Sequence, residues 1–272
     1  MIKACIFDLG GTLVDRFSLT SILSLKDAFS TKNIYITNSL IFKNLGKHKR
    51  EHIQNIINDE GISHIWRRIY GNFPSENESL DLYNIYNEIK KVRCSSLMDI
   101  LPETKGIIKY LNDNNIKVGC TTDLDFKSML LVKEKLNNKG ILLDSYVDSS
   151  SMDYTSTIDH SMVYENMKKL NINNSRKVIK IDDTAAGIKE GIRAGCWTVG
   201  VSKWSINMEI STIEDAYNLH DEELYKKLLI SKDILLNSGA DYVINTLDEL
   251  PWVIDDINSK NSIYLIDEKR WI

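Results

Sequence analysis

The sequence predicts an α/β protein: a doubly wound parallel sheet with a helical domain inserted after its first strand. Three observations carry that class. The chain opens on a short apolar run, Ala4-Cys5-Ile6-Phe7, that stops on Asp8-Leu9-Gly10-Gly11-Thr12. About eighty residues of helical periodicity follow, too many for a single crossover between neighbouring strands. From Asp99 onward, apolar strands alternate with helices over short connections, the pattern of parallel strands covered on both faces. With 272 residues the chain can form one large domain or a core domain carrying an insert.

Each element has its own local reason. The first run is too short for a helix and reads as a buried parallel strand. Ser18 or Thr20 can cap a helix whose apolar residues Ile22, Leu23, Leu25 and Phe29 recur at helical spacing. Further helices are expected at about 38–45, 49–58, 62–70 and 76–97, broken near Gly46, Gly61 and Gly71-Asn72-Phe73-Pro74. Beyond Pro102 come a helix at 104–111, a strand at 116–120 and a helix at 125–138. A weak strand at Tyr146-Val147, a polar loop at 148–157, a helix at 158–170, a strand at 177–181, a helix at 185–194 and a strand at 196–201 follow. Residues 203–217 read as polar and irregular. A helix at 220–237, a strand at 242–244 and a helix at 247–258 complete the fold, and the apolar part of the tail, 259–272, is expected to add an edge strand. The expected domains are a core, 1–15 and 99–272, and a cap, 16–98.

Composition narrows the function. A formal net charge of −4 argues against a dedicated nucleic-acid binder, whose domain would be basic. Cys5, Cys94, Cys120 and Cys196 lie far apart without a CxxC pair, which fits buried thiols in a reduced compartment better than a disulfide frame or a zinc site. The N-terminus enters a strand directly rather than through a signal peptide, and no run of about 18 apolar residues exists. A cytoplasmic protein with no membrane span is expected.

Asp8, Thr122 and Asp183 each stand at the carboxyl end of an expected parallel strand, the rim where open α/β sheets bind ligands. Asp8 suits a nucleophile or a metal ligand, and Gly10 and Gly11 let backbone N–H groups close on an oxyanion. Separately, each position also reads as a turn or helix-cap residue. Together, two carboxylates facing an oxyanion call for a hard cation between them. Mg²⁺ takes one or two carboxylates plus waters and phosphate oxygens. Thr122 would then give its hydroxyl to a phosphoryl oxygen.

Phe7-Asp8-Leu9-Gly10-Gly11-Thr12, the helical insert, Cys120-Thr121-Thr122 and Ile181-Asp182-Asp183-Thr184 resemble the haloacid dehalogenase superfamily. Within it the chain is similar to the phosphonoacetaldehyde hydrolase family, to about residue 258, through 6–15, 43–52, 116–122, 177–201 and Gly239-Ala240-Asp241-Tyr242. The resemblance implies that Asp8 is a nucleophile forming an aspartyl-phosphate. It also implies that Lys49, in Gly46-Lys47-His48-Lys49-Arg50-Glu51-His52, forms a Schiff base with an aldehyde. Lys47 and Arg50 favour the neutral amine, and His52 lies three residues on along the same helix face to shuttle protons. Without the resemblance this stretch is a basic helix start. The family relation further implies Mg²⁺ held by Asp8, the Gly10 carbonyl and Asp183, substrate contacts at Gly11, Thr12, Gly46, Thr122 and Asp123, a small phosphonate or phosphate substrate, and a homodimer.

Gly10 replaces the second Asp that most phosphatases of the superfamily use as general acid. A site without that acid is ill suited to phosphate esters. A carbon–phosphorus bond needs an electron sink instead, which a lysine imine supplies. Three other positions depart from the family. Ser156 stands where an arginine is expected, with no Lys or Arg anywhere in 141–167. Gly187 replaces a second acidic residue, and Asp123-Leu124 replace a glycine and a tyrosine. The alternatives are therefore a hydrolase or phosphatase of the same superfamily with a shifted substrate, or a catalytically weakened homologue. A sugar kinase of the actin-like fold would need a hairpin where 17–29 reads as a helix, and a second glycine-rich loop.

Overall fold

The computed structural model describes residues 1–43, 45, 49–148 and 161–269. Six parallel strands run β1 (Ala4–Phe7), β2 (Lys117–Thr122), β3 (Ser145–Asp148), β4 (Val178–Asp182), β5 (Trp197–Val201) and β6 (Tyr242–Ile244), in the order β3-β2-β1-β4-β5-β6. The chain builds outward from β1 to β3 on one side, then returns to β1's other flank for β4 to β6. The order reverses at β1, so its carboxyl end is the crevice where such sheets bind ligands. β1 is buried along its whole length, as a central strand between two layers must be.

Alternation along β1 assigns the faces. Cys5 and Phe7 join an apolar cluster with Ile107, Ile108, Met129, Val132, Val253 and Ile257. Ala4 and Ile6 face a second cluster with Val163, Met167 and Val178. The doubly wound parallel sheet follows, as the sequence predicts. All four cysteines are buried and free. Among the described residues no helix is long and apolar enough to cross a membrane.

Between β1 and β2 lie α1 (Leu19–Ser30), α2 (Asn38–Phe42), α3 (Lys49–Ile57), α4 (Glu60–Tyr70) and α5 (Glu76–Leu97). They close on their own apolar core, which includes Leu25, Phe29, Ile53, Ile56, Trp66, Leu82 and Tyr86. The inserted helical cap is therefore a separate layer. Its two ends are tied together: the Asp15 N–H donates to the Asp99 carbonyl (2.9 Å), and Leu101 N–H to the Leu13 carbonyl (3.0 Å). The entry is tightly wound, with φ of 59° at Asp15, 60° at Phe17 and 52° at Ser18. Phe17 is held there by Trp204, through an N–H to carbonyl bond of 2.7 Å and ring centroids 5.7 Å apart.

The remaining helices are α6 (Thr104–Asp113), α7 (Phe126–Asn138), α8 (Ser161–Lys169), α9 (Ala185–Arg193), α10 (Ile213–Asn218), α11 (Asp221–Asn237) and α12 (Leu250–Lys269). Two expectations need correction. Among the described residues the tail adds no edge strand: α12 runs to Lys269, with Pro251 confined to its first turn and no Gly or Pro after it, and β6 remains the edge. Residues 203–217 are not irregular throughout. They form α10 and a buried segment, Ile206, Met208 and Ile210, that packs into the cap core. Its polar residues hide this periodicity because they too are buried. The expected cap for α1 also differs, since neither Ser18 nor Thr20 uses its side chain; the Asp15 carboxylate accepts from Thr20 N–H at 3.1 and 3.3 Å. The loop at 149–157, Ser156 included, and the start of the helix expected from 158 lie outside the described residues.

Candidate active site

The site forms at the end of β1. The Asp8 N–H donates to the Ile181 carbonyl (2.9 Å), extending the ladder by one step. The paired rows Phe7–Cys120 and Phe7–Ile181 put Asp8 one step further on, between Thr121 of β2 and Asp182 of β4. Burial pushes the Asp8 carboxyl well above its ordinary range. Asp182 and Asp183 push the same way, and Lys180 opposes them.

Asp183 is fully buried just past β4. Its carboxyl is raised by burial and by Asp182, against the pull of Ile206 N–H, which donates to Oδ2 at 3.1 Å. Thr12 Oγ1 lies 3.4 Å from Asp183 Oδ1. The Asp183 carbonyl takes Ser205 Oγ–H (2.7 Å) and Asn207 Nδ2–H (3.0 Å). The segment after β5 thus clamps Asp183 from behind. Gly11 has a φ of +72°, and a Cβ there would sit 2.4 Å from Asp183 Oδ2. Only glycine allows the loop this close to the carboxylate. Asp8, Gly11, Thr12 and Asp183 are thereby brought together. Gly10 lies in the same turn, where a Cβ would meet nothing nearer than Ser18 Oγ at 3.6 Å.

Among the described residues no group of three or more His, Cys, Asp or Glu is arranged to hold a metal. A cation here would rest on two carboxylates, a backbone carbonyl and water, which is a magnesium-like donor set rather than a zinc-like one. The mutual repulsion of the buried carboxyls is the physical reason a cation fits.

Thr122 ends β2 with its hydroxyl accepting Leu124 N–H (3.2 Å), which leaves its own proton to donate. Leu124 turns into the core, where it is buried. Asp123 points the other way, toward the cap, and receives Lys90 Nζ of α5 at 2.9 Å. Lys90 is 7 % exposed. Burial works against its ammonium, but Asp123 and Tyr86 outweigh it and the net direction is up. Lys49 starts α3, with Nζ 3.4 Å from His52 Nδ1 and 5.7 Å from the Tyr86 ring centre. Burial lowers its amine to about 8; Asp123 opposes this and Lys90 adds to it. Lys49, His52, Tyr86 and Lys90 therefore line the cap above Asp123. Gly46, Lys47 and His48 lie outside the described residues.

Lys90, Tyr86 and Lys180 were not legible as site residues in the sequence. Tyr86 and Lys90 stand four apart on one helix, the spacing of a shared face, which was the available signal. Lys180 lies inside an apolar strand, where a lysine is expensive unless paired, and that alone marks it.

A parallel sheet with its charged crevice at the first strand's carboxyl end, closed by a helical insert, defines a hydrolase of the haloacid dehalogenase class. Residues 2–195 match the haloacid dehalogenase-like hydrolase family, and the chain belongs to it. It is 27 % identical over 258 residues to a phosphonoacetaldehyde hydrolase of Syntrophobacter fumaroxidans, covering 94 % of this chain and 92 % of the relative. A phosphonoacetaldehyde hydrolase of Bacillus cytotoxicus is 28 % identical over 269 residues, covering 96 % and 98 %. The crystal structure of a phosphonoacetaldehyde hydrolase-like protein from Oleispira antarctica superposes with a TM-score of 0.86 at 28 % identity, over 95 % of this chain and 93 % of that one.

Proposed function

We propose that this hydrolase breaks the carbon–phosphorus bond of a small phosphonoaldehyde such as phosphonoacetaldehyde. The observation that carries the proposal is Lys49: a desolvated amine, lowered to about 8, in a cap cluster that faces the Asp123 turn of the core. An amine held near neutrality in a closed layer is suited to imine formation, whereas a solvated surface lysine is not. The domain division in this reading is a core of 1–15 and 99–272 and a cap of 16–98. The pairing of Asp15 with Asp99 at the expected joints supports it.

Lys49 attacks the aldehyde carbon and water leaves, giving a protonated imine. The Asp8 carboxylate attacks phosphorus, the carbon–phosphorus bond breaks, and its electron pair passes into the iminium as an enamine. His52, 3.4 Å from the Lys49 nitrogen, is placed to return a proton to carbon. Water then frees acetaldehyde from Lys49 and phosphate from Asp8. Asp8, the Gly10 carbonyl and Asp183 would hold Mg²⁺, which supplies positive charge to the phosphoryl oxygens when bound. The Thr122 hydroxyl donates to one of those oxygens, while the Gly11 and Thr12 N–H groups hold the loop on the Val14, Asp15 and Leu9 carbonyls.

The alternative is a hydrolase of the same family with a shifted substrate, such as a phosphate monoester. Phosphate release measured with Mg²⁺ from phosphonoacetaldehyde beside a panel of monoesters separates the two. Asp8→Asn abolishes release from every substrate, and Lys49→Arg abolishes it from the aldehyde alone. Aldehyde-dependent labelling of Lys49 by borohydride marks the imine. Unchanged turnover in Lys49→Arg rejects the carbon–phosphorus reading.

A further inference from the structure

Lys180 is a fully enclosed cation near the crevice. It is fully buried in β4 with its nitrogen bonded to Thr121 Oγ1 of β2 (2.7 Å) and to Asp182 Oδ2 of its own strand (2.8 Å). β2 and β4 are not neighbours, because β1 lies between them. An ammonium that reaches both Thr121 and Asp182 must therefore cross β1. It crosses in the row where Asp8 sits, since Thr121 and Asp182 are the positions flanking Asp8 in register. Strand alternation puts all four residues on the same face, the one covered by α8 and α9. This cation is thus fixed beside Asp8 by two partners on the two flanking strands.

The packing around Lys180 is built for it. In α9, a Cβ on Gly187 would lie 1.8 Å from Asp182 Oδ2, and one on Gly191 would lie 2.8 Å from Lys180 Cβ. Glycine is a poor residue for a helix interior, yet two stand four apart on the face that meets this ion pair. They open a slot, the upper part filled by the Asp182 carboxylate and the lower by the Lys180 stem. Asp182 is locked in turn, since its Oδ1 accepts both the N–H (2.9 Å) and the Oγ1–H (2.7 Å) of Thr184. Glu190 Oε2 lies 3.8 Å from the Lys180 nitrogen on the far side. No lysine or arginine occurs between residues 141 and 167, so the loop before α8 brings no cation of its own.

We propose that Lys180, carried by strand β4 and held by Thr121, Asp182 and the Gly187–Gly191 slot, is a positioning residue whose ammonium offsets the Asp182 carboxylate beside Asp8, so that Asp8 can attack and an anionic phosphoryl group can approach it. This rests on the reading of Asp8 as the attacking carboxylate. An ammonium with preset hydrogen bonds needs no rearrangement as charge builds on the phosphoryl oxygens, which is the condition for effective electrostatic stabilisation. The Asp182 carboxylate also occupies the space of any side chain at 187, so a strand residue fills the position that the helix leaves open.

The test uses fluoroberyllate with Mg²⁺, a phosphoryl mimic that reports on Asp8 without committing to a substrate. Its binding is followed by ¹⁹F resonance in the wild type, in Lys180→Met, in Lys180→Met/Asp182→Asn and in Gly191→Ala, with melting temperatures measured alongside. Lys180→Met leaves the Asp182 carboxylate beside Asp8 unopposed. Expected in a folded protein are fluoroberyllate affinity lower by about tenfold or more and kcat lower by about 100-fold with KM little changed. The double variant removes that carboxylate as well and recovers most of the affinity, which a loss of packing alone would not do. Gly191→Ala crowds the Lys180 stem and Thr198 Cγ2 without altering any charge; it weakens binding in the same direction and carries the test if Lys180→Met does not fold. Wild-type protein that binds no fluoroberyllate, Lys180→Met that binds it as tightly as wild type, or a double variant that recovers nothing overturns the assignment. Lys180-dependent fluoroberyllate binding in an enzyme that ignores phosphonoacetaldehyde keeps the assignment and removes the carbon–phosphorus reading.

Discussion

At the scale of single residues, the chemistry turns on whether Lys49 can shed its proton. With the amine near 8, about a tenth is neutral at pH 7 and about nine-tenths at pH 9. Borohydride trapping should therefore climb through pH 8 and level above 9. Lys90→Met removes a like charge and releases the Asp123 carboxylate, and both changes favour the protonated amine. The midpoint in that variant moves upward, readable by mass spectrometry of labelled protein across a pH series. A wild-type midpoint near 10 would mean that Lys49 is solvated. Gly11 is the other decisive residue. Gly11→Ala forces a left-handed φ on a β-carbon and drives it into Asp183, at 2.4 Å. A cost of about 1–3 kcal/mol is expected in urea unfolding, with weaker Mg²⁺ binding in the same protein. The two glycines after Asp8 were legible as a backbone turn, but the Gly11 N–H expected on an oxyanion is taken by the Val14 and Asp15 carbonyls of that turn. That the second one makes room for Asp183 was not legible, because the two are 172 positions apart in the chain and meet only across the β1–β4 pairing.

At the scale of elements, the cap joint is a titrating device. Asp15 is 2 % exposed, and burial lifts its carboxyl to about 7 despite two bonds from Thr20 N–H. A carboxyl raised on folding stabilises the fold while it is protonated, and that contribution is lost as pH rises from about 4 to 7. Asp15→Asn cannot ionise, tolerates the left-handed backbone and still accepts from Thr20. Its melting temperature should match wild type near pH 4 and exceed it increasingly up to about pH 7, where the gap levels off, by roughly 4 kcal/mol at most. A gap independent of pH would remove the buried-carboxyl account. The strands and most helices were readable from apolar periodicity, while the segment after β5 was not. Ser205, Ile206 and Asn207 look like loop residues until their side chains and N–H groups are found satisfying Asp183.

At the scale of the whole molecule, the apolar core of the cap continues into the segment after β5. The cap cluster reaches into the sheet domain through Trp204, Ile206 and Met208, so the lid rests on the element that clamps Asp183. Metal binding should accordingly stabilise the folded chain as a unit. Mg²⁺ at 100 times its Kd adds about 2.7 kcal/mol to unfolding, seen as a rise in melting temperature that Asp183→Asn abolishes. A rise of equal size in Asp183→Asn would move the cation elsewhere. By itself the sequence determined the sheet-and-insert architecture and the strand ends that carry Asp8, Thr122 and Asp183, because these follow from local periodicity and from residue type at fixed spacing; the lysine of the cap was singled out only by the family resemblance. Only the tertiary structure decided which charges meet: Lys180 crossing β1 to Thr121, Asp182 filling the space over Gly187, and Lys90 descending from the cap onto Asp123. Those pairings depend on strand order, register and helix packing. These are long-range properties, and no local pattern of residues encodes them.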